Sequence, residues 1–447
     1  MQELSNQRTP RYTSYPTAVQ FSDAVGSGQA AAWLGDLPAE APLSLYLHVP
    51  FCREVCWYCA CNMKLAAREA PVRDYARVLE QEITQLADRL GGRRAVRHLH
   101  WGGGTPTSMP DDCMARIMAM LWQRFDFAPD AEIAVELDPR TFAAGTGEFL
   151  ALMGVTRASL GVQEFDSKVQ KAVNRIQPLD VVARTVDELR EAEIGAINFD
   201  LMYGLPYQST ETITHTIEKT LSLAPDRIAL FGYAHVPWMA KRQRMLPEQA
   251  LPDAKARWEQ CETASRLLVD AGYQRVGLDH FAKPDDEMAV AVREARLRRN
   301  FQGYTTDAEE VLIGLGATSI SSFPQGYAQN ISETGAWARA VEAGEMPIAR
   351  GVALSGEDRL RREVISDLMC HLEADLGAIA ARHGVSPSVF DDDLQRCAGF
   401  VHAGLVSIAG TQIRVAETAR PVLRVVASAF DAYLRDPAAT PRHAVAV

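Results

Sequence analysis

The sequence predicts an α/β protein with an open, partial (β/α)6 barrel and a smaller, mainly helical, winged-helix-like C-terminal domain. Two observations predict the barrel. Six short apolar runs with strand character alternate with segments of helical periodicity between residues 43 and 237. Each run ends in a polar or glycine-rich loop, which is where a parallel β/α barrel builds its active site. Six units are too few for a closed eight-stranded barrel, so we expect one open side. Alternation alone would also permit a doubly wound sheet.

The periodicity places the elements of the barrel in order. Strands are predicted over residues 45–49, 96–101, 132–137, 157–162, 196–201 and 227–233. Helices are predicted between them over residues 72–90, 114–125, 148–153, 181–193 and 211–223. Past residue 240 the rhythm changes, and the sequence predicts a helix over 258–271, a strand over 274–280 and a helix over 285–299.

The chain is expected to contain three regions, because 447 residues exceed one ordinary domain. An N-terminal arm covers residues 1–40, which lack a long periodic segment. A catalytic domain covers 41–356. A helical domain covers 357–447, with helices predicted over 358–372, 376–383, 389–403 and 419–434 and a hairpin over 405–415.

Composition excludes several classes of protein. Hydrophobic residues make up 47% and charged residues 23% of the chain, a balance typical of globular proteins. No apolar run reaches the ~18 residues of a membrane span, and the polar start predicts no secretion signal, so we expect a cytoplasmic protein. The net charge of −11 disfavours contact with a nucleic-acid backbone. An anionic substrate must therefore meet a local basic patch.

Four of the eight cysteines lie close together after the first predicted strand, in HVPFCREVCWYCACN. Cys52, Cys56 and Cys59 have the spacing C-x3-C-x2-C, and Cys61 follows two residues later. Three thiolates so spaced can hold three irons of a cubane cluster and leave the fourth iron open to a small molecule. We expect Cys61 not to be a ligand.

Other interpretations of these cysteines are weaker. Structural zinc usually takes two C-x2-C units separated by a longer loop, and the chain has no second unit. A disulfide scaffold is not expected in a long chain without a secretion signal.

The remaining strand ends carry the side chains of a binding site. Gly102, Gly103 and Gly104 follow the second strand, and loops without Cβ atoms can bring backbone groups against a ligand. A phosphate loop is a weak alternative, since no Gly-Lys-Ser/Thr follows, and a simple turn is the other. Carboxylates at strand ends, Glu136 and Asp200, are costly to bury unless they are paired or bound to a ligand. The set is completed by Gln163 and Arg175, which can hold hydroxyl and carboxylate groups.

These motifs resemble the radical S-adenosylmethionine (radical SAM) enzymes, and in particular the oxygen-independent coproporphyrinogen III oxidases. The resemblance runs from RYTSYPT at residues 11–17 to FDAYL at residues 430–434. It also covers the cysteine loop, GGGTPT at 102–107, DHFA at 279–282, FQGYTT at 301–306 and YAQN at 327–330. It implies a radical SAM barrel that holds one [4Fe–4S] cluster on Cys52, Cys56 and Cys59.

The resemblance also implies two molecules of S-adenosyl-L-methionine side by side. The cluster-bound molecule would use Tyr46, Gly103, Glu136 and Ile320. The second molecule would use Tyr58, Gly104, Thr105, Gln163, Arg175, Asp200 and Ala234. Cys61 and Tyr46 are expected to act in catalysis. Ala60 stands where the family pattern has glycine, and its methyl group would crowd the second cofactor.

The implied reaction is the anaerobic oxidative decarboxylation of two propionates of coproporphyrinogen III to vinyl groups, which starts when a 5′-deoxyadenosyl radical removes a hydrogen atom. Implied partners are the porphyrinogen and an electron donor such as flavodoxin or ferredoxin, and a monomer is expected. One alternative is a related radical SAM haem chaperone or haem-degrading methyltransferase. Another is a nucleic-acid-binding protein with a structural cluster, which the acidic charge disfavours.

The N-terminal arm has two opposed interpretations. Its composition predicts a surface tail. Its Arg11, Tyr12 and Tyr15 lie in a short aromatic and basic stretch between prolines, and such residues could hold carboxylates and a macrocycle. We expect residues 1–17 to close over the substrate rather than over the cluster.

Overall fold

The computed structural model describes Leu4 and residues 7–435 of the chain. Its centre is a twelve-stranded sheet formed by β1 Leu43–Val49, β4 Ala95–Gly103, β5 Asp126–Leu137, β6 Arg157–Gln163, β7 Ala196–Tyr203, β8 Arg227–Gly232, β9 Gln274–Val276, β10 His280–Ala282, β13 Leu312–Leu315, β14 Ile320–Phe323, β15 Gly326–Asn330 and β16 Ile348–Ala353. The strands lie side by side in the order β16-β15-β14-β13-β1-β4-β5-β6-β7-β8-β10-β9. Short pairs elsewhere are β2 Phe51–Cys52 with β3 Lys64–Leu65, and β11 Arg298–Asn300 with β12 Gly303–Thr305.

The six predicted strands form one parallel body. β1 and β4 to β8 pair in parallel register in chain order. The sheet curves, because residues from β1, β4, β5, β6, β7 and β8 line one internal cavity of about 260 Å³. It does not close, since β9 and β16 are its two edges. The predicted open, partial (β/α)6 barrel is confirmed, and the doubly wound alternative is wrong.

Helices cover the outside of the sheet. Through the barrel they are α1 Ser27–Gly35, α2 Ala70–Leu90, α3 Asp111–Arg124, α4 Thr146–Leu152, α5 Ser167–Ala172, α6 Leu179–Glu191, α7 Thr210–Leu223, α8 Ala254–Asp270, α9 Glu287–Arg293 and α10 Thr334–Glu342. The longest, α2, buries a face that includes Leu79 and Ile83. It ends where Gly91 takes the left-handed conformation (φ 67°), as the sequence predicted.

Three predictions between residues 20 and 330 need correction. The arm region contains a helix, α1, whose Trp33 and Leu34 are buried. The single strand predicted over 274–280 is the antiparallel pair β9 and β10, because Gly277 turns the chain (φ 52°). The helix predicted over 285–299 stops at Arg293, and the rest of that segment forms β11.

The C-terminal region is mainly helical, with a small antiparallel sheet. Its helices are α11 Gly356–His371, α12 Leu376–Arg382, α13 Asp391–Arg396, α14 Ala398–His402 and α15 Leu423–Ala427, and its strands are β17 Glu373–Asp375, β18 Val406–Ala409 and β19 Gln412–Val415. β18 and β19 form the predicted hairpin. Two long helices predicted here, over 389–403 and 419–434, are instead broken into short turns of helix. Pro421 lies inside the second of these segments and cannot donate an N–H to a helix.

A second hydrophobic core lies in this region and includes Leu368, Ile379, Val426 and Phe430. α11 begins at a capping box in which the Ser355 and Asp358 side chains each accept a hydrogen bond from the other's backbone N–H. Both features support the predicted domain boundary after residue 356, which stays a prediction.

The N-terminal arm packs against this second core. Tyr12 is 4% exposed and Tyr15 is 2% exposed. The Tyr12 hydroxyl donates to Asp431 Oδ2 at 2.9 Å, and the Tyr15 hydroxyl accepts from the Ala432 N–H at 3.0 Å. The expectation of a surface tail is therefore wrong. The two tyrosine rings are also unavailable to a macrocycle, whereas Arg11 remains exposed.

Within residues 4 and 7–435, no helix combines the length and apolar character that crossing a membrane requires.

Docking of the arm can be tested by its effect on stability. Tyr12→Ala should lower the free energy of unfolding by about 3–5 kcal/mol, because it empties a buried ring site. Tyr12→Phe should cost only about 1–3 kcal/mol, since it removes one hydrogen bond to a carboxylate. Urea denaturation of the purified protein measures both values. Equal midpoints for Tyr12→Ala and the parent chain would mean that the arm is not docked in solution.

Candidate active site

The cysteine loop lies at the carboxyl end of the parallel strands. β1 ends at Val49, and the chain passes through Pro50 into β2 and the cysteines. A cavity of about 240 Å³ opens there. Twelve of the residues singled out in the sequence line it, namely Cys52, Cys56, Tyr58, Cys59, Cys61, Gly103, Gly104, Thr105, Glu136, Gln163, Arg175 and Asp200. The parallel register brings these distant segments together, because strand ends meet at one edge of the sheet.

The triple glycine forms a cradle against the cysteine loop. A Cβ on Gly104 would lie 2.5 Å from the carbonyl oxygen of Phe51, and one on Gly103 would lie 2.6 Å from the His48 ring. Gly103 also has a φ of 115°, which side chains rarely adopt. The strand end can approach the cysteines this closely only without side chains. The interpretation as a simple turn is therefore insufficient.

Glu136 is held ionised at the centre of the site. Its Oε2 accepts the Gly103 N–H at 3.0 Å, and its Oε1 lies 3.1 Å from His100 Nε2. Burial alone would raise the pKa of Glu136, but the hydrogen bonds from His100 and Gly103 outweigh it and lower the pKa. The carboxylate is therefore a charged acceptor at neutral pH.

Two arginines connect an ion pair to a cysteine. Arg175 Nη2 and Arg140 Nη2 donate to the two oxygens of Asp138, at 3.1 and 2.6 Å. Arg140 Nη2 and Arg175 Nη1 each also lie 3.3 Å from Cys56 Sγ. Burial would raise the pKa of Asp138, but the charges and hydrogen bonds of the two arginines lower it. Cys56 thus faces two cations.

The cysteine thiols differ in their environment. The hydrogen bond from the Cys61 side chain lowers the pKa of Cys59 to about 6, and the Cys61 N–H adds to this at 3.4 Å from Cys59 Sγ. The same hydrogen bond raises the pKa of Cys61, because Cys61 must keep its proton in order to donate it. Burial raises the pKa of Cys52 to about 11, while the Thr105 hydroxyl lies 3.6 Å from its sulfur. Cys61 is therefore hydrogen-bonded to Cys59, and its exclusion from the ligand set stays a prediction.

Asp200 and Gln163 face the cavity from neighbouring strands. Asp200 accepts from Asn198 Nδ2 at 3.0 Å and from the Ser159 hydroxyl at 3.3 Å. Burial, followed by the charge of Glu136, raises the pKa of Asp200 to about 6. Gln163 has a positive φ of 68°, and its amide makes no hydrogen bond within the described residues. These groups can still accept from or donate to a ligand.

The two predicted tyrosines flank the cavity differently. The Tyr46 hydroxyl lies 2.9 Å from His48 Nδ1, and its ring stacks on His100 with centroids 5.7 Å apart. Tyr46 therefore borders Glu136 from β1 rather than lining the cavity. The Tyr58 hydroxyl hydrogen-bonds the Cys56 thiol, and burial raises its pKa.

Two further predicted binding residues, besides Tyr46, lie outside the cavity. Ala234 accepts a hydrogen bond from Gln243 Nε2 at 3.1 Å, and the same amide nitrogen donates to the Tyr58 carbonyl at 2.7 Å. Ile320 lies on β14, beyond Gly314, whose register partner on β1 is Tyr46. Their roles stay predictions.

The sequence interpretation missed His48, His100, Asp138 and Arg140. Two signals could have found them. His48 is two residues beyond Tyr46 on one strand and so shares its face. Asp138 and Arg140 directly follow the strand of Glu136. His100 gave less indication, because a histidine within a strand is more often structural than part of a site.

The residues present match the chemistry of an open cubane. Four thiols face one cavity, three of them the predicted ligands Cys52, Cys56 and Cys59, and the glycine cradle and a carboxylate face the same space. Within residues 4 and 7–435, no three His, Cys, Asp or Glu side chains converge on a point where a single metal ion could sit. A cubane has no such requirement, since each thiolate binds a different iron.

Comparisons with known proteins agree with this site. The family model of the Radical SAM superfamily matches residues 46–220. The oxygen-independent coproporphyrinogen III oxidase of Bradyrhizobium diazoefficiens is 50% identical over 428 residues, which cover 96% of this chain and 95% of that protein. That of Paracoccus denitrificans is 45% identical over 431 residues, with 96% and 95% covered.

A solved structure is also similar over nearly the whole chain. The coproporphyrinogen III oxidase (HemN) of Escherichia coli, a radical SAM enzyme, has a TM-score of 0.91 at 37% identity. The similarity covers 96% of this chain and 100% of that one. The chain therefore belongs to the oxygen-independent coproporphyrinogen III oxidases of the radical SAM superfamily.

Proposed function

We propose that this chain catalyses the anaerobic oxidative decarboxylation of two propionates of coproporphyrinogen III to vinyl groups, which gives protoporphyrinogen IX. The observation that carries the proposal is the cavity in which Cys52, Cys56 and Cys59 face Glu136 and the glycine cradle. It occurs in a chain 50% identical to an oxygen-independent coproporphyrinogen III oxidase. The same similarity favours the oxidase over a haem chaperone or haem-degrading methyltransferase.

The three cysteines would hold a [4Fe–4S] cluster. When bound, the cluster and S-adenosylmethionine supply one-electron chemistry that can remove a hydrogen atom from an unactivated carbon. Arg140 and Arg175 place N–H groups against Cys56 Sγ and compensate the negative charge of a ligating sulfur. Thr105 adds a hydroxyl beside Cys52.

Glu136 is the main acceptor in the proposed site for the cluster-bound S-adenosylmethionine. It is ionised and fixed by two hydrogen bonds, so it is oriented before a ligand arrives. An ammonium or ribose hydroxyl could donate to it. Tyr46, Gly103 and Ile320 are proposed for the same molecule, and of these Tyr46 and Gly103 border Glu136.

A second S-adenosylmethionine is proposed beside the first. Its site would use Tyr58, Gly104, Thr105, Gln163, Arg175, Asp200 and Ala234. Six of these seven line the cavity of the cysteines. Gln163 supports the proposal most directly, because its side-chain amide makes no hydrogen bond within the described residues. Ala60 is exposed at the turn between Cys59 and Cys61, where its methyl group could meet this second molecule.

The remaining expectations follow from the reaction. The cluster requires a one-electron donor, for which flavodoxin or ferredoxin is proposed. After hydrogen abstraction each propionate loses CO2 and one further electron as the vinyl group forms, so the reaction also requires a one-electron acceptor. A monomer in the cytoplasm is proposed, since thiol-ligated clusters require a reducing compartment.

The proposed reaction can be tested by anaerobic turnover. Protein with a reconstituted cluster is given S-adenosylmethionine, a low-potential reductant and coproporphyrinogen III. Protoporphyrinogen IX should form, and methionine and 5′-deoxyadenosine should form with it. Chromatography of the oxidised porphyrins measures the conversion. Cleavage of S-adenosylmethionine without loss of a propionate would contradict the proposal.

The ligand set can be tested by cysteine replacement. Serine at Cys52, Cys56 or Cys59 should abolish the visible absorption of the cluster and most of the bound iron, because each replacement removes a thiolate ligand. Cys61→Ser should retain most of the iron, since Cys61 is not a ligand. Iron and sulfide analysis measures the difference. Equal iron loss in all four variants would indicate four thiolate ligands and no open iron.

The role of Glu136 can be tested by cofactor binding. Glu136→Ala should weaken S-adenosylmethionine binding by about 1–3 kcal/mol, the cost of a lost charged hydrogen bond. Calorimetric titration of cluster-loaded protein measures the affinity, and the iron content should not change. Glu191→Ala is the control, because Glu191 is an exposed carboxylate at the end of α6 and forms no ion pair within the described residues. Unchanged affinity in Glu136→Ala would leave that residue a structural role only.

A further inference from the structure

A second, smaller cavity adjoins the site and is lined by four arginines. Arg11 comes from the arm, Arg257 from α8, Arg299 from β11 and Arg424 from α15. Asp279 is the one acidic residue among those that line it. This arginine pocket, as we call it, is strongly basic within a chain whose net charge is −11.

Three of these guanidinium groups have no carboxylate partner. Within residues 4 and 7–435, no Asp or Glu oxygen forms an ion pair with Arg11, Arg257 or Arg299, although 33 other ion pairs are present. Arg257 Nε and Arg299 Nη1 are buried and make no hydrogen bond there. Asp279 is bonded instead to His280, at 2.8 Å. The Arg257 and Arg299 side chains are half-buried, and a cation that is partly removed from water without an anion is costly, which favours the binding of an anion here.

The fold holds these cations in place with neutral groups. Arg299 Nε and Nη2 each donate at 3.2 Å to a backbone carbonyl, that of Tyr12 and that of Arg11 respectively. The Arg299 guanidinium also lies 4.2 Å from the centroid of the Tyr304 ring. Carbonyls and rings orient a guanidinium without neutralising it. The single carboxylate of the pocket, Asp279, whose pKa the charges of Arg299 and Arg11 help to lower, offsets only part of the positive charge. Burial and then repulsion from Arg11 lower the pKa of Arg424 to about 10, so the cations also repel one another.

Arg257 is placed by a glycine. A Cβ on Gly204 would lie 3.2 Å from Arg257 Cζ, so this guanidinium packs directly on the backbone after β7. Gly204 has a φ of 83°, which favours glycine at this turn. The sequence that follows β7 therefore makes room for the arginine.

The pocket is small and lies beside the cysteine cavity. Its volume is about 50 Å³, whereas whole ligands usually occupy pockets of several hundred Å³. It can hold a few waters or one carboxylate arm, but not a macrocycle. Phe231 lines both this pocket and the cysteine cavity. A carboxylate arm in the pocket would thus belong to a molecule that extends toward the cluster.

We propose that the arginine pocket binds one propionate carboxylate of the tetrapyrrole and so fixes the substrate beside the cysteine cavity. This inference rests on the proposed function, since it assigns part of that substrate's binding site. Arginine is suited to the role because it grips a carboxylate with two parallel hydrogen bonds. Arg257 is the residue that we expect to matter most, because its side chain has no hydrogen bond or ion pair within the described residues.

Binding of coproporphyrin III, the redox-stable form of the substrate, tests this proposal. Arg257→Gln should raise its dissociation constant about 10- to 100-fold, the effect of losing a charged hydrogen-bonding pair. Arg257→Lys should have a smaller effect, since it keeps the charge but loses the fork. Arg266→Gln is the matched control on the same helix. The Arg266 side chain is 64% exposed, and its Nη1 already has a carboxylate neighbour, Asp270 Oδ2, at 4.0 Å. The tetramethyl ester of coproporphyrin III, which has no carboxylates, should bind all four proteins equally.

The outcomes separate this proposal from the proposed function. Unchanged coproporphyrin III affinity in Arg257→Gln overturns the proposal, as does equal weakening for the ester. Thermal unfolding checks that the Gln variant is folded, and the Lys variant carries the test if it is not. If the parent chain converts coproporphyrinogen III and Arg257→Gln has the same KM, the pocket proposal fails and the function stands. If the parent chain binds the porphyrin through Arg257 but does not decarboxylate the porphyrinogen, the function fails and the pocket stands.

Discussion

The close approach of the 102–104 backbone to the cysteine loop is the contact on which the rest of the site depends. Gly104 touches the Phe51 carbonyl and Gly103 touches the His48 ring, at distances that a Cβ would prevent. The Gly103 N–H in turn fixes Glu136. One backbone segment therefore sets the spacing between the thiols and the main carboxylate. A methyl group at any of the three glycines would move two functional elements apart.

The site also shows what keeps a buried carboxyl group ionised. Burial opposes the charged form of Glu136, Asp138 and Asp200 alike. His100 offsets the cost of burial for Glu136, and Arg140 and Arg175 offset it for Asp138. For Asp200 an amide, a hydroxyl and the influence of His280 do not outweigh burial, and the charge of Glu136 adds to the cost of ionisation, so the pKa of Asp200 rises to about 6. The partners available to each carboxylate thus decide its charge, and Asp200 is the one that a ligand donor would stabilise most.

Sequence reasoning found the strands, the cysteines that line the cavity and most of the other cavity residues, because these depend on local patterns. Strand periodicity and parallel order place Glu136, Gln163 and Asp200 at one edge without further information. Sequence reasoning failed where contacts between distant segments decide the local structure. The helix predicted beyond Arg293 is a strand because β11 pairs with β12. The sequence predicts a surface tail at Tyr12 and Tyr15 because their hydrogen-bond partners, Asp431 and Ala432, are more than 400 residues away along the chain. The role of His100 is recognisable only from its 3.1 Å distance to Glu136 Oε1, which the sequence does not give.

The N-terminal arm links two parts of the molecule that are distant in sequence. Its tyrosines are buried in the second core, and the next groups along it are the Arg11 side chain and the carbonyls that orient Arg299. Docking of the arm therefore has two consequences at once. It completes the packing of the C-terminal region, and it positions two cations beside the cysteine cavity. Since Tyr12 supplies both the buried ring and one of these carbonyls, and Arg11 lies on the arm itself, the arginine pocket is complete only when the arm is docked. Packing of the C-terminal region and completion of the arginine pocket are in this way set by the same short segment.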